Sequence, residues 1–337
     1  MKKSKIVVLF DTDGDPPANQ DYSKQLQTSD EAEFDIARAL LERGHVVHPV
    51  GVRDRLDPLI EALRNDACDI VFNATEGFGG RAALDYAIAG VLEMFRASYT
   101  GTSPEGLILT RDKALTKKVL LYHGLRVPNF CVYLRGLVMQ RPSDLRFPLI
   151  VKPLSEDASI GIAQASVVKD DENLRERVEF LHSRLGCDVI VEELIVGREI
   201  YLGVVGNDPP KPLPPVEMIF ENLPEESRIA TFKAKWSAKY RKTKGIKNVM
   251  ARDLAKDVLA RLCDVAVRAY KALRLRDYAR IDVRLAPDNE VYVLEANPNP
   301  FIAREEDLPN AAQEAGITYP EFIETIAECA LKRRRAP

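Results

Sequence analysis

The residues best placed for chemistry lie near the C-terminus, where Tyr278-Ala279-Arg280-Ile281-Asp282-Val283-Arg284-Leu285 and Val291-Tyr292-Val293-Leu294-Glu295-Ala296-Asn297 flank the turn cluster Pro287-Asp288-Asn289. Two alternating runs around turn residues predict a β-hairpin. With a two-residue Asp288-Asn289 loop, or a four-residue loop starting at Pro287, Asp282 faces Glu295 and Arg280 faces Asn297. Alternation then puts Ile281, Val283, Leu285, Tyr292, Leu294 and Ala296 on one face, and Arg280, Asp282, Arg284, Glu295 and Asn297 on the other. Opposed carboxylates repel, and one is driven to protonate unless a cation sits between them. Two carboxylates and an amide oxygen are hard ligands that suit magnesium, which fills its remaining positions with water and phosphate oxygens. The simpler alternative is a solvated face on which Arg280 and Arg284 pair with the acids.

Two further phrases carry polar groups at the ends of apolar strands. Phe147-Pro148-Leu149-Ile150-Val151-Lys152-Pro153 ends in a lysine suited to nucleotide phosphates, and the loop after it offers Ser155 and Ser159 with their backbone N–H groups. A snorkelling strand-end lysine is the competing reading. Val189-Ile190-Val191-Glu192-Glu193-Leu194-Ile195 leads into Gly197-Arg198-Glu199, a strand exit with backbone groups for an adenine edge and a carboxylate for ribose hydroxyls.

The elements that must hold these groups follow from periodicity. Strands at Ile6–Phe10, Val46–Val50 and Ile70–Asn73 alternate with helices at Glu31–Arg43, Leu59–Asn65 and Ala82–Phe95, which predicts a parallel sheet covered by helices over 1–109. Asp30 and Glu33 form a capping box for the first helix, with Phe34, Ala37, Leu40 and Leu41 as its buried stripe and Gly44 as its end. The polar stretch Asp11–Asp30 is a substrate loop or an exposed insertion. A small α+β unit over 110–195 holds a helix from Thr110 to Gly124, strands at Phe130–Leu134, Phe147–Pro153, Ile160–Val168 and Val189–Leu194, and a helix at Asn173–Leu185. Over 196–337 come a strand at Glu199–Val205, a proline-rich connection at Asp208–Pro215, a helix at Leu254–Leu273, the hairpin and a closing helix.

A chain of 337 residues with 46% hydrophobic and 29% charged residues reads as a soluble enzyme of two or three domains. A net charge of -3 gives no case for nucleic acid or membrane, and the basic end Lys332-Arg333-Arg334-Arg335 reads as a solvated helix terminus. Five scattered cysteines argue against disulfides or a thiolate metal site. Met1–Phe10 runs into Asp11 with no cleavage region, so a cytoplasmic enzyme is the default.

In this order and spacing the phrases resemble the ATP-grasp superfamily, and within it the D-alanine:D-alanine ligase branch. The resemblance runs through Tyr99-Thr100-Gly101, Arg111-Asp112-Lys113, Ile150-Val151-Lys152-Pro153, Glu192-Glu193, Lys235, Ala279-Arg280-Ile281-Asp282 and Leu294-Glu295-Ala296-Asn297. It implies an α/β and α+β ATP-grasp fold behind a parallel-sheet N-terminal domain. It implies Lys113 and Lys152 on the phosphates, Glu192 and Leu194 at adenine, Glu199 at ribose and Lys235 at the γ-phosphate. Asp282, Glu295 and Asn297 would hold two magnesium ions, or manganese, and Arg280 would stabilise the transition state of amide formation through an acyl phosphate. The substrates would be amino acids or short peptides, and a homodimer stays open.

The chain also departs from that family. Its ligases carry His-Gly-x-x-Gly-Glu-Asp-Gly where Thr75-Glu76-Gly77-Phe78-Gly79-Gly80-Arg81 stands here, and Glu-Ala-Lys-Tyr where Lys233-Ala234-Lys235-Trp236 stands. The serine region that receives an acceptor carboxylate is replaced by Glu305-Glu306-Asp307. Glu76, Trp236, Glu306 and Asp307 are therefore the expected substrate-side residues, with an acceptor larger than D-alanine or cationic. A non-catalytic ATP-binding module is the alternative. An oxidoreductase fails because no Gly-x-Gly-x-x-Gly follows the first strand.

Overall fold

The computed structural model describes residues 3–17, 19–64, 68–137 and 140–335. Three sheets organise the chain. β1 (Lys5–Asp11), β2 (Val46–Val52) and β3 (Ile70–Asn73) form a parallel sheet in the order β2-β1-β3. β1 is buried along its whole apolar run, as a strand covered by helices on both faces should be. β4 (Phe130–Tyr133), β5 (Leu149–Pro153), β6 (Val167–Val168) and β7 (Val189–Glu193) form an antiparallel sheet in the order β4-β7-β5-β6. β8 (Arg198–Val205), β9 (Lys211–Pro212), β10 (Val216–Phe220), β11 (Ile246–Met250), β12 (Tyr278–Leu285) and β13 (Val291–Asn297) form the third, along the path β11-β10-β8-β12-β13 with β9 on β8.

After a single helical turn at Gln25–Thr28, the first expected helix spans Ala32–Glu42 and ends at Gly44 in a left-handed conformation. The Asp30–Glu33 capping box does not form: Glu31 takes the cap position without a side-chain cap, and Glu33 turns into a cavity. Leu41 is exposed, and Ile36 takes its place in the core with Phe34, Ala37 and Leu40. The second helix spans Asp57–Arg64, and the expected end at Asn65 lies outside the described residues. The expected strand Ile160–Val168 shortens to β6, because the chain makes positive-φ turns at Ala158, Ser159 and Gly161 and one 3-10 turn at Gln164–Ser166 first.

The basic C-terminal end is also not simply solvated. Arg333 pairs with Asp277, which is fully buried, and donates to the Tyr99 carbonyl at 2.5 Å. The side chains of Arg334 and Arg335 lie outside the described residues. The closing helix Tyr319–Arg335 packs against the Ala32–Glu42 helix, and one continuous core joins Ile6, Val8 and Phe72 of the parallel sheet to Phe322, Ile326, Tyr201 and Met218. Among the described residues no helix is long and apolar enough to cross a membrane.

Candidate nucleotide and metal site

β12 and β13 pair with Arg280 opposite Asn297 and Asp282 opposite Glu295, as the alternation requires. Toward the turn the register shifts by one residue at a bulge, so Val283 faces Val293 and Leu285 faces Val291. The loop is accordingly Pro287-Asp288-Asn289. Ala286 N–H donates to Glu290 O and Asn289 N–H to Ala286 O, both at 2.9 Å, and Asn289 is left-handed. This three-residue loop is the common alternative to a two- or four-residue one. Its consequence is that Val291 and Val293, not Tyr292 and Leu294, join Ile281, Val283, Leu285 and Ala296 in the core, which frees Leu294 to line the cleft.

The neighbouring β8 sets Tyr201 beside Asp282 and Glu199 beside Arg284, which makes one charged face across three strands. Arg280 grips Asp282 with two hydrogen bonds of 2.7 and 2.9 Å and lies 4.9 Å over the Tyr201 ring. Arg284, a residue given no role by the family resemblance, holds Glu199 at 2.6 Å in a buried ion pair, and Tyr201 donates to the same carboxylate at 3.1 Å. Burial raises the Asp282 pKa despite Arg280. Glu295 moves the other way: burial opposes its charge, but Lys235, Lys113 and Lys152 outweigh it and hold the group at about 2. A close carboxylate pair splits in this manner. The Asn297 carboxamide is uncommitted, with Nδ2 buried and unpartnered. Among the described residues no three His, Cys, Asp or Glu side chains are arranged as a metal cluster, and the expected ligand set is two carboxylates and an amide.

Facing this platform, Lys152 on β5 reaches Glu192 on β7 at 3.1 Å. Glu192 is fully buried, and a second lysine, Lys117, lies 3.4 Å from its other oxygen and donates to Leu294 O at 2.8 Å. Burial resists the charge on Glu192, yet Lys117 and Lys152 hold its pKa below the usual value, while burial pushes Lys117 down to about 8. Lys117 was not expected in the site. The available signal was its spacing of four residues from Lys113, which places both on one side of the Lys113–Tyr122 helix. Lys113 is buried and donates to the Glu156 carbonyl in the loop that follows β5.

That loop is tied to the third sheet's side of the cleft. Ser159 donates to Ala230 O at 2.7 Å, Trp236 Nε1 to Ala158 O at 3.0 Å and Phe232 N–H to Ile162 O at 3.1 Å. The cavity between them measures about 60 Å³ and is lined by Lys152, Ser159, Glu192, Leu194, Glu199, Lys235, Asp282 and Glu295, among others. Lys235 stands 3.9 Å from Glu295. The Leu194 N–H donates to Pro148 O at 3.0 Å, and Leu194 and Ile195 both line the cleft. Ser155 is exposed on the loop. A larger groove of about 630 Å³ opens on the far side of Glu199, along Arg198 and Glu217, but none of these lysines reaches it.

The substrate-side residues are dispersed. Asp307 accepts two hydrogen bonds from Asn248 Nδ2 at 2.9 and 2.8 Å, and Glu306, at the surface, has its pKa raised by partial desolvation of its carboxylate and by Asp307. Glu76 lies at a separate cavity, its N–H donating to Asp11 at 2.8 Å.

The sequence model of the family described as D-ala D-ala ligase C-terminus matches residues 119–328. The D-alanine--D-alanine ligase of Desulforudis audaxviator is 31% identical over 303 residues, 88% of this chain and 92% of that protein. An uncharacterized protein, y4sG, of Sinorhizobium fredii is 35% identical over 264 residues, 78% of this chain and 75% of its own length. In fold, the structure is similar to D-alanine--D-alanine ligase from Bacillus anthracis complexed with ATP, with a TM-score of 0.75 at 23% identity over 98% of this chain and 99% of that one. Together with the paired-sheet cleft and its lysines, these matches show that the chain belongs to the D-alanine–D-alanine ligase family of the ATP-grasp superfamily.

Proposed function

We propose that this protein is an ATP- and magnesium-dependent carboxylate–amine ligase. A substrate carboxylate takes the γ-phosphoryl group to give an acyl phosphate and ADP, and an amine then displaces phosphate to form an amide. One observation carries the reading: Lys152 from the second sheet and Lys235 from the third sheet's side meet the opposed carboxylates Asp282 and Glu295 around one cleft. Phosphoryl transfer asks chiefly for positioning and for neutralisation of phosphate charge. Lys113, Lys152 and Lys235 would neutralise the phosphates, and Arg280, kept cationic by Asp282, would stabilise the tetrahedral oxyanion.

Asp282, Glu295 and Asn297 fit magnesium by donor type, as two opposed carboxylates and an amide oxygen at one end of the hairpin. When bound, the ion supplies charge neutralisation at the phosphate oxygens. The reading takes two such ions, with manganese as a substitute. Glu199, held by Arg284 and Tyr201, offers a fixed carboxylate for ribose hydroxyls, and the strand exit at Glu192–Ile195 frames adenine.

The acceptor would differ from D-alanine. A free carboxylate approaching Arg280 would meet the like charges of Glu306 and Asp307, and Trp236 would narrow the approach. A screen for ADP release over amino acids and short peptides, with mass spectrometry of the product, tests the reading. The expected result is ADP formation with one acid and one amine, and a product weighing their sum less water. AMP formation, or D-alanyl-D-alanine as the favoured product, contradicts it.

A further inference from the structure

The stretch 232–247 carries seven lysines and arginines and no acid, in a chain whose net charge is -3. It folds as the short helices Phe232–Trp236 and Ala238–Lys244, followed by the start of β11. Lys247 pairs with Glu221 at 2.8 Å and Lys235 stands 3.9 Å from Glu295, whereas among the described residues Lys233, Lys239, Lys242 and Lys244 form no ion pair. Lys233, Lys239 and Lys242 are exposed. The dipole of the second helix accounts for Arg241, Lys242 and Lys244, which lie in its last turn. It opposes Lys239, which lies in the first turn with no acid beside it. Lys233 and Trp236 are also positions at which the chain departs from the Glu-Ala-Lys-Tyr phrase of its family.

Two aromatic side chains lie among these lysines. Phe232 and Trp236 are four residues apart, on one side of their helix, and are 47% and 60% exposed. Trp236 is held in place by its Nε1, which donates to Ala158 O at 3.0 Å in the loop after β5, and the Phe232 N–H donates to Ile162 O at 3.1 Å. A large ring fixed in position and left in water offers contact area at little further cost in entropy. The surface runs on into the nucleotide cleft, because Lys235, between Lys233 and Trp236, lines that cleft.

Charge complementarity asks for an anion, and exposed lysines spread from Lys233 to Lys242 ask for one with several charges along its length. A nucleic acid strand would extend beyond the patch into the field of a chain that is negative as a whole. A peptide rich in Asp and Glu is shorter, has apolar stems to lie on the two rings, and ends in a carboxylate of the kind the cleft would activate. We infer that Phe232, Trp236, Lys233, Lys239 and Lys242 form a docking surface for an acidic peptide, the acid substrate of the reaction, whose terminal carboxylate enters the cleft past Lys235. The inference rests on the ligase reading for the fate of that carboxylate, whereas docking itself needs no turnover.

Trp236 is the one tryptophan of the chain, so its emission reads the surface directly. The full chain is titrated with tetraglutamate, tetraglutamine and oligothymidylate, each with and without ADP. Tetraglutamate is expected to change the emission and to bind at least about tenfold more tightly than tetraglutamine, an advantage that shrinks as salt is raised to about 0.3 M. The triple variant Lys233→Gln, Lys239→Gln, Lys242→Gln is expected to keep the parent's melting temperature and lose the preference, and Lys239→Gln alone to weaken tetraglutamate binding severalfold. Equal binding of the two peptides, an undiminished preference in both variants, or tighter binding of the oligonucleotide than of tetraglutamate overturns the inference. Tetraglutamate that binds with this preference to a protein that releases ADP with no acid and amine at all leaves the docking surface standing and overturns the ligase reading. ADP release with equal kcat/KM for acidic and neutral peptides leaves the ligase reading standing and overturns the inference.

Discussion

Glu295 and Glu33 are both partly buried glutamates, and their surroundings drive them in opposite directions. Glu295 faces Lys235, Lys113 and Lys152 and stays ionised down to about pH 2. Replacing it by Gln should abolish ATP turnover and leave the thermal unfolding transition within a few degrees of the parent, because its carboxylate faces the cleft and not the core. Loss of folding, or normal turnover, contradicts its role. Glu33 is raised to about 7, first by burial and then by Glu31, Asp11 and Glu76. The folded protein therefore keeps a proton that the unfolded chain has released above its usual value of 4.5, so stability should fall as pH rises from about 4.5 to about 7. The total is about 1–2 kcal/mol after discounting for partial exposure. Urea unfolding at pH 5 and pH 8 should show this loss in the parent and a smaller one in Glu33→Gln. Lys152 and Glu295 were legible because a charge that ends or interrupts an apolar strand needs a reason. Lys117 was not, since Lys117-Lys118 on a helix looks like an ordinary wet face, and only the fold shows it buried against Glu192. Glu33 was legible as a charge but misplaced, because a glutamate three residues after Asp30 fits a capping box equally well.

At the level of elements, the hairpin shows how far alternation can be read. The pairing of Asp282 with Glu295 follows from period two, but the bulge before Glu295 and the loop length do not, because both registers bury apolar residues. Asn289 sets the outcome. It sits at φ +64, a conformation that Asn and Gly reach more readily than other residues. Asn289→Ala should cost about 1 kcal/mol, and Asn289→Gly should be near neutral. Equal effects in denaturant unfolding would show that the loop is not what fixes the register. The loop after β5 was the harder case: Ile160–Val168 contains enough β-branched residues to read as a strand, and only its docking onto Ala230, Phe232 and Trp236 explains the turns.

Over the whole molecule, one buried acid ties the first and last regions of sequence together. Asp277 accepts from Gly101 N–H at 2.9 Å, from Asn207 at 2.8 Å and from Arg333 near the end of the closing helix. Arg333→Ala would leave that charge under-compensated, with an expected loss of about 3 kcal/mol in unfolding free energy. A loss near zero would mean that the basic terminus is merely solvated. Such long-range ties, like the core shared by the parallel sheet and the closing helix, join residues more than 170 positions apart and leave no local pattern to read. The nucleotide cleft has the same long-range character: Lys152 and Glu192 reach it from the second sheet, and Asp282 and Glu295 from the third. The chemistry that follows is tested most directly by trapping. Protein incubated with ATP, magnesium, pools of candidate acids and hydroxylamine should release ADP and yield a hydroxamate identified by its mass, because an acyl phosphate is intercepted by that amine. AMP with pyrophosphate, or no nucleotide turnover with any pool, would contradict the account.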